Sequence, residues 1–254
     1  MTASIAALFR HPIKGFTPEK LDSATLRPGE AFPCDRRFAV EDGPSGFDPE
    51  KPAFIPKQRF AVLAKIAQVA KARTAYDEAS GVLRASAADA PAFEARLDEA
   101  AGKTAFAGWL TDLLGEAASG QLRVIDGEGH RFLDHPLGHV SIINLASVRD
   151  LEARIGRPVD PLRFRANLYV EGWPAWAENG WTGRELALGE ARARVFKTIT
   201  RCAAPGVDPV TAERDLDVTG ELHRLYGHVL CGIYVQVTRG GTIAEGDVAE
   251  VSPG

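Results

Sequence analysis

Two short segments of this chain carry side chains whose types and spacing could do chemistry. The first is FKTITRCAAPGVDP, in which Cys202 follows a predicted strand and precedes a Pro-Gly loop. The adjacent Arg201 favours the thiolate, which is the form of cysteine that acts as a nucleophile or binds a metal. A cysteine at an arbitrary position is more often a small buried hydrophobic residue. We assign that second interpretation to Cys34 in FPCDRR and to Cys231, which precedes a predicted strand among apolar neighbours.

The second segment is RFRAN, which reads as part of a strand. Side chains alternate along a strand, so Arg163, Arg165 and Asn167 are predicted to share one face. Two guanidinium groups on one face suit a phosphate or pyrophosphate, whose oxygens match the planar fork of arginine. An exposed outer sheet face is the alternative.

Other familiar site patterns are weak in this sequence. His130, His135 and His139 form a loose group, but Pro136 and Gly138 disfavour the helix that a zinc pair at 135 and 139 would need. The sequence has no G-x-S-x-G, P-loop or G-x-G-x-x-G segment. A serine-hydrolase nucleophile elbow, a nucleoside-triphosphate P-loop and a Rossmann dinucleotide site therefore lack support.

Composition is that of an ordinary globular protein. The 254 residues are 45% hydrophobic and 25% charged, with a net charge of −4, which disfavours nonspecific nucleic-acid binding. No apolar run approaches the roughly 20 residues of a membrane span, and no basic segment precedes the first apolar stretch as in a secretory signal. Three scattered cysteines indicate a reducing cytoplasm.

The elements that must position these residues are mostly short strands. Strands are predicted near the N-terminus and from residue 160 onward, with glycine and proline between them, as in a barrel or sandwich. Asp89 is a plausible N-cap for a helical stretch over 89–115 that Gly102 splits in two. A further helix over LASVRDLEARIG begins near Asn144 or Ser147 and ends at Gly156. A boundary is predicted near 118–122.

Seven short segments in one order give the chain a family resemblance. They are HPIKG, DRRFAV, PKQRF, RFRAN, AENGW, an RC pair followed by VDP, and GTIAEGD. Together they resemble the molybdenum-cofactor sulfurase C-terminal (MOSC) domain proteins, and among these the amidoxime-reducing components. The resemblance implies a β-rich α+β fold. A MOSC N-terminal β-barrel-like domain with a helical insert over 1–120 would precede a MOSC domain over 121–254.

The resemblance also implies a site for molybdenum–molybdopterin. Cys202 would be the protein ligand of the metal, and Asp208 would lie near the metal's open face and handle protons. The other implied contacts hold the phosphate and pterin from both domains. They are Lys14, Arg36, Lys57, Arg165, Asn167, Thr200 and Arg201.

The function implied is reduction of small N-hydroxylated or N-oxide molecules. Electrons would come from a separate donor protein, since no clustered cysteines for an iron–sulfur centre are present. No pyridoxal-phosphate half is evident, and neither nucleic acid nor a membrane is expected as a partner. The alternative is a sulfur-carrier or cofactor-handling protein in which Cys202 holds a persulfide.

Overall fold

The computed structural model describes residues 3–252, which form fifteen strands and three α-helices. The strands of the first half are β1 Ser4–Arg10, β2 Glu19–Leu21, β3 Ser23–Leu26, β4 Phe38–Asp42, β5 Arg73–Asp77, β6 Val82–Ala87, β7 Ala90–Arg96 and β8 Leu122–Asp126. Those of the second half are β9 Val140–Asn144, β10 Leu168–Glu171, β11 Glu185–Leu188, β12 Ala191–Thr200, β13 Leu230–Arg239, β14 Gly241–Ala244 and β15 Ala249–Val251. The helices are α1 Ala100–Leu114, α2 Leu145–Ile155 and α3 Val218–Tyr226. The predicted β-rich α+β class is confirmed.

A curled eight-stranded sheet joins the two ends of the chain. Its strand order is β15-β11-β12-β13-β9-β10-β1-β2, and β1 pairs antiparallel with β10. The N-terminal strands therefore extend a sheet whose other six strands come from the second half. The boundary near 118–122 stays a prediction.

The long strands of this sheet alternate as a half-buried strand requires. Along β12, Ala191, Ala193 and Val195 are buried, while the residues between them are partly or fully exposed. Their buried side chains join Val235 and Ile142 of neighbouring strands in one apolar cluster. The opposite face near the end of β12 is thus free to carry polar residues.

The first half adds a second core. Strands β4 and β8 pair with each other, and β5, β6 and β7 form a separate meander. Helix α1 covers them with Phe106, Leu110 and Leu114, and the Phe106 ring lies 5.9 Å from that of Trp109. The same cluster includes Val207 and Ala212, so this core also contacts the loop after β12 in the second half.

The predicted helical stretch over 89–115 is partly wrong. Ala90–Arg96 is strand β7, and a single helix occupies Ala100–Leu114. Pro91 fits because β7 is an edge strand of its meander, where a missing backbone donor is tolerated. Gly102 does not split the helix. A Cβ there would lie 1.8 Å from the Arg96 carbonyl oxygen, so glycine lets the helix approach the strand end.

The predicted helix after residue 144 is confirmed. The Asn144 side chain accepts a hydrogen bond from the Ala146 amide at 3.0 Å, as an N-cap does. Gly156 closes the helix in the left-handed conformation. Val148 and Leu151 are buried on its inner face.

The strand predicted for RFRAN is wrong at the arginines. Pro161–Phe164 is a 3₁₀ turn, and Arg165 follows it in the left-handed region with φ of 53°. Strand β10 begins only at Leu168. Both arginines still line one cavity, but they have different partners: Arg163 contacts Asp208 and Asp215, whereas Arg165 contacts the Phe16 carbonyl.

Within residues 3–252, none of the helices has the length and apolar character that crossing a bilayer requires.

Candidate functional site

One cavity of about 210 Å³ lies where the two halves of the chain meet. Its walls come from the loop after β1, the segment 57–64, strands β12 and β13, and the turn that holds RFRAN. Seven predicted contact residues line it: Lys14, Arg36, Lys57, Arg165, Thr200, Arg201 and Cys202. The fold therefore brings together residues that lie up to 188 positions apart in the sequence.

Cys202 lies directly beyond the end of β12, at the cavity wall. Its backbone carbonyl accepts a hydrogen bond from the Thr219 hydroxyl at 2.8 Å, which ties this turn to the start of helix α3. The residue is partly accessible, whereas Cys34 and Cys231 are buried. Burial raises the pKa of each of those two thiols to about 12. Cys202 is therefore the cysteine that a ligand in the cavity can reach.

Lys57 brings a cation to this thiol from the other half of the chain. Burial lowers the pKa of its ammonium group, but the Asp134 carboxylate and the Cys202 side chain outweigh that effect and raise it. The ammonium group therefore keeps its proton beside the sulfur. A cation in that position stabilises a thiolate.

Arg165 contributes to the cavity wall a guanidinium group whose hydrogen bonding is incomplete. Its Nη1 donates to the Phe16 carbonyl at 2.5 Å, and its buried Nη2 has no hydrogen-bond partner among the described residues. Burial, together with the nearby Arg36 guanidinium, lowers the pKa of Arg165 to about 10. A buried donor without an acceptor is costly, so this nitrogen indicates where an anion would bind.

Arg201 is a second cavity-lining arginine whose guanidinium group is only partly hydrogen-bonded. Its Nε donates to the Cys231 carbonyl at 2.8 Å and its Nη1 to the Phe164 carbonyl at 2.9 Å, while its buried Nη2 has no partner among residues 3–252. Gly232 is required mainly by the backbone, since a Cβ there would lie 2.5 Å from the Ile142 carbonyl oxygen and also 3.1 Å from this Nη2. Arg165 and Arg201 thus each leave a buried Nη2 without an acceptor, and the buried Nε of Arg163 also has none among the described residues.

Arg36 and Lys14 are held by carboxylates. Arg36 pairs with the buried Asp35 and donates to the Arg165 carbonyl at 3.2 Å. Lys14 Nζ donates to the Phe132 carbonyl at 2.8 Å and to Asp134 at 2.5 Å. Although burial opposes it, the Lys14, Arg36 and Lys57 charges hold the pKa of Asp134 well below its usual range.

Asp134 is a cavity residue that the sequence did not single out. It precedes His135-Pro136 in the loop between Gly129 and Gly138. A carboxylate in a loop between two glycines carries no spacing signal of its own.

Among the described residues, no group of three or more His, Cys, Asp or Glu side chains is arranged to hold a metal ion.

Two predicted site residues lie outside the cavity wall. Asn167 is buried and accepts from the Ser141 amide at 3.0 Å and its hydroxyl at 2.8 Å, so it supports the wall from behind. Asp208 accepts from Arg163 Nη2 at 2.9 Å and from the amides of Val210 and Thr211. Its carboxylate fixes a turn and does not face the cavity.

The charges of the wall do not cancel. Seven cationic side chains line the cavity, and three of them pair with carboxylates: Lys14, Arg36 and Arg163. The remaining four, Lys57, Arg165, Lys197 and Arg201, form no ion pair with any carboxylate that the structure describes. An acidic protein thus contains a strongly electropositive cavity, which fits an anionic ligand.

Behind Arg36, the buried His11 predicts a pH dependence of stability. Burial and the Arg165 charge lower the pKa of His11 from 6.5 to about 3, although the hydrogen bond to Asp35 opposes them. The unfolded chain takes up this proton near pH 6.5 and the folded chain does not. The free energy of unfolding should therefore fall by roughly 1 kcal/mol for each unit by which the pH is lowered from 6.5 towards 3.

Denaturant unfolding at pH 7.5 and pH 5 would measure this effect. His11→Asn keeps a donor for Asp35 without the titration, so the variant should lose less stability between the two pH values than the wild type. An equal loss in both proteins would show that His11 is not the group responsible.

Comparison with known proteins gives two family matches. The model of the MOSC N-terminal beta barrel domain matches residues 2–121, and the MOSC domain model matches residues 130–250. The YUAD protein from Bacillus subtilis has the same fold with a TM-score of 0.50 and 16% identity, over 99% of this chain and 96% of that chain.

Two kinds of curated relative also align with parts of the chain. Mitochondrial amidoxime-reducing component 1 of Mus musculus is 30% identical over 118 residues, which are 42% of this chain and 34% of that protein. The molybdenum cofactor sulfurase of Caenorhabditis elegans is 32% identical over 135 residues, 51% of this chain and 18% of that protein. The matches thus span only 34% and 18% of the lengths of these two relatives.

Proposed function

Because the chain contains a MOSC N-terminal beta barrel domain followed by a MOSC domain, we propose that it binds a molybdenum–molybdopterin cofactor in this cavity and reduces small N-hydroxylated or N-oxide molecules. The names of its relatives, an amidoxime-reducing component and a molybdenum cofactor sulfurase, support this proposal. We place the reaction in the cytoplasm, which the low cysteine count favours.

The observation that carries the proposal is one reachable thiol among unpaired cations. Cys202 shares the cavity with the partnerless Nη2 atoms of Arg165 and Arg201. A thiolate suits a sulfur-coordinated molybdenum, and unsatisfied guanidinium donors suit the oxygens of a pterin phosphate. The residues present therefore fit this cofactor.

Each side chain has a distinct proposed task. Cys202 is the metal ligand, and Lys57 holds positive charge beside its sulfur. The cofactor's phosphate and pterin are bound by the other cavity residues, Lys14, Arg36, Arg165, Thr200 and Arg201. Asn167 acts indirectly, by orienting Ser141 of the cavity wall. Asp208 holds Arg163 in place, so we do not assign it the proton transfer.

When bound, the molybdenum centre supplies two-electron transfer and removal of an oxygen atom. In the reaction the N–O bond breaks, two electrons and two protons are consumed, and water leaves. A separate donor protein provides the electrons. The protein's own part is to hold the cofactor between its two halves, to bring cations to the wall that carries Cys202, and to admit a small substrate.

Metal analysis of the purified protein tests this proposal. Protein from a host that makes molybdopterin should contain about one molybdenum and one phosphorylated pterin per chain, and should oxidise a reduced dye when given an N-hydroxylated amidine. Protein that holds neither metal nor pterin would contradict the proposal.

A second candidate function rests on the accessibility of the same thiol. If Cys202 carries a persulfide, the protein would transfer sulfur or handle the cofactor for another enzyme. Cyanide-labile sulfur on Cys202 without bound molybdenum would favour this carrier function over the reductase.

A further inference from the structure

The outer end of the cavity has features that the proposed cofactor contacts do not use. Lys197 of β12 lies opposite Tyr234 of β13, and both side chains line the cavity. His135 lies against the same region, with its ring centroid 5.2 Å from that of Phe196 and 6.3 Å from that of Tyr234. We call Lys197, His135 and Tyr234 the outer group.

The loop that carries His135 is fitted closely to this end of the sheet. A Cβ on Gly138 would lie 3.1 Å from the Tyr234 ring and 3.3 Å from the His135 Cβ. A residue with a side chain at 138 would push the loop away from the ring. The close approach places the His135 and Tyr234 rings next to each other at this end of the cavity, as surfaces against which a flat molecule can pack.

Exposure orders the cations of the cavity from deep to shallow. Lys14 is 2% exposed and Arg36 is 9% exposed, whereas Lys197 is on the exposed surface. Of the four cations without an ion pair, Lys197 is the most accessible. The His135 ring is near enough to Lys197 for that charge to contribute, after burial, to lowering its pKa. The two residues therefore share the cavity mouth.

The negative charge of the cofactor phosphate does not require Lys197 for its neutralisation. A phosphate monoester carries about −1.5 to −2 at pH 7, and the deeper Lys57, Arg165 and Arg201 already exceed that charge. Lys197 is thus available to an anion that enters after the cofactor. Nothing acidic among the described residues neutralises it.

We propose that the outer group selects planar aromatic substrates that carry an anionic substituent, with the ring packed against His135 and Tyr234 and the anion on Lys197. The inference rests on the proposed function, since it concerns the substrate of the same site. The hydroxyl of Tyr234 makes no hydrogen bond to the described residues, so it is free to donate to the substrate's oxygen or nitrogen atoms.

Three N-hydroxylated amidines of similar shape test the proposal: 4-carboxybenzamidoxime, its methyl ester and 4-(aminomethyl)benzamidoxime. With a reduced dye as electron donor, kcat/KM for the carboxylate should exceed that for the ester by about fivefold, the upper range for a solvent-facing ion pair. The ammonium compound should be the poorest. The difference should lie in KM, because Lys197 binds the substituent and not the reacting atoms.

Variants separate this charge effect from a general one. Lys197→Met should remove the preference for the carboxylate, and Lys197→Glu should reverse it in favour of the ammonium compound. Arg194→Met removes a cation from the same strand outside the cavity lining and should leave the preference intact. Calorimetric titration with 4-amidinobenzoate, which has no N–O bond, measures binding without turnover. Its affinity should be highest for the wild type, lower for Lys197→Met and lowest for Lys197→Glu.

The possible failures are distinguishable because molybdenum and pterin are measured in every sample. A wild type that holds the cofactor but treats the three compounds alike would overturn the substrate inference and leave the proposed function standing. A wild type without cofactor would overturn both. A preference that survives in Lys197→Glu would show that other cations set it.

Discussion

Replacing Cys202 by serine is expected to abolish reductase activity and to reduce the molybdenum content of the purified protein. A hydroxyl is a much poorer ligand than a thiolate for a metal that prefers sulfur. The activity loss should exceed about 100-fold, since partners that merely orient metal ligands already cost 10- to 100-fold when removed. The pterin should be lost less completely, because its phosphate is held by cations that the substitution leaves in place.

Cys231→Ala provides the matched control for this experiment. It also removes a thiol, but the Cys231 side chain is buried outside the cavity lining, and Arg201 contacts only its backbone carbonyl. The variant should keep molybdenum and activity, apart from a modest loss of stability. Equal metal content and activity in Cys202→Ser and the wild type would contradict the ligand assignment.

The residue types of the site could be predicted from the sequence, but their geometry could not. Lys14 and Cys202 lie in different halves, which the pairing of β1 with β10 and of β3 with β14 brings together. No periodicity within one segment encodes that pairing. The family resemblance supplied it, because the order of the seven segments carries long-range information.

Local patterns failed where tertiary contacts override them. PAFEAR has the composition of a helix start, yet it forms an edge strand paired with β6. RFRAN has the alternation of a strand, yet the proline before it begins a 3₁₀ turn and Arg165 takes a left-handed conformation. In both segments, the partner strand or the cavity determines a conformation that the local sequence only permits.

The helix after residue 144 shows the opposite case. Its Asn144 cap, its apolar spacing and its closing Gly156 all act within a few residues of one another. Each signal is local, and each agrees with the others, so the sequence alone was sufficient.

Substitution of Arg165 by methionine is expected to weaken cofactor retention while leaving the cofactor-free protein nearly as stable as the wild type. A hydrogen bond to a charged group contributes about 1.5–3 kcal/mol, which corresponds to about 10- to 100-fold in affinity. In the cofactor-free protein the variant loses the bond to the Phe16 carbonyl, but it also relieves burial of a charge beside Arg36. These effects oppose each other, so the free energy of unfolding should change by less than about 1 kcal/mol.

Arg163→Met, two residues earlier, is the matched control with the opposite pattern. Arg163 is 4% exposed and pairs with Asp208 at 2.9 Å and Asp215 at 2.8 Å. Its removal leaves Asp208 without its cation and Asp215 with Arg157 alone, and should cost about 2 kcal/mol of stability. Because the Arg163 charge is already paired, cofactor retention should fall less than in Arg165→Met. Unfolding of the cofactor-free variants, combined with pterin content after dialysis of the loaded ones, distinguishes the two patterns.

Comparison of Arg163→Met with Arg165→Met distinguishes a structural role of the electropositive cavity from a role in binding an anion. If it were a structural ion-pair network, removal of either arginine would destabilise the protein, and pterin would be lost in proportion to stability. If the cavity binds an anionic cofactor, the unpaired arginine matters only when the ligand is present. An Arg165→Met protein that is as unstable as Arg163→Met, or that retains pterin as the wild type does, would rule out the proposed anion-binding role of Arg165.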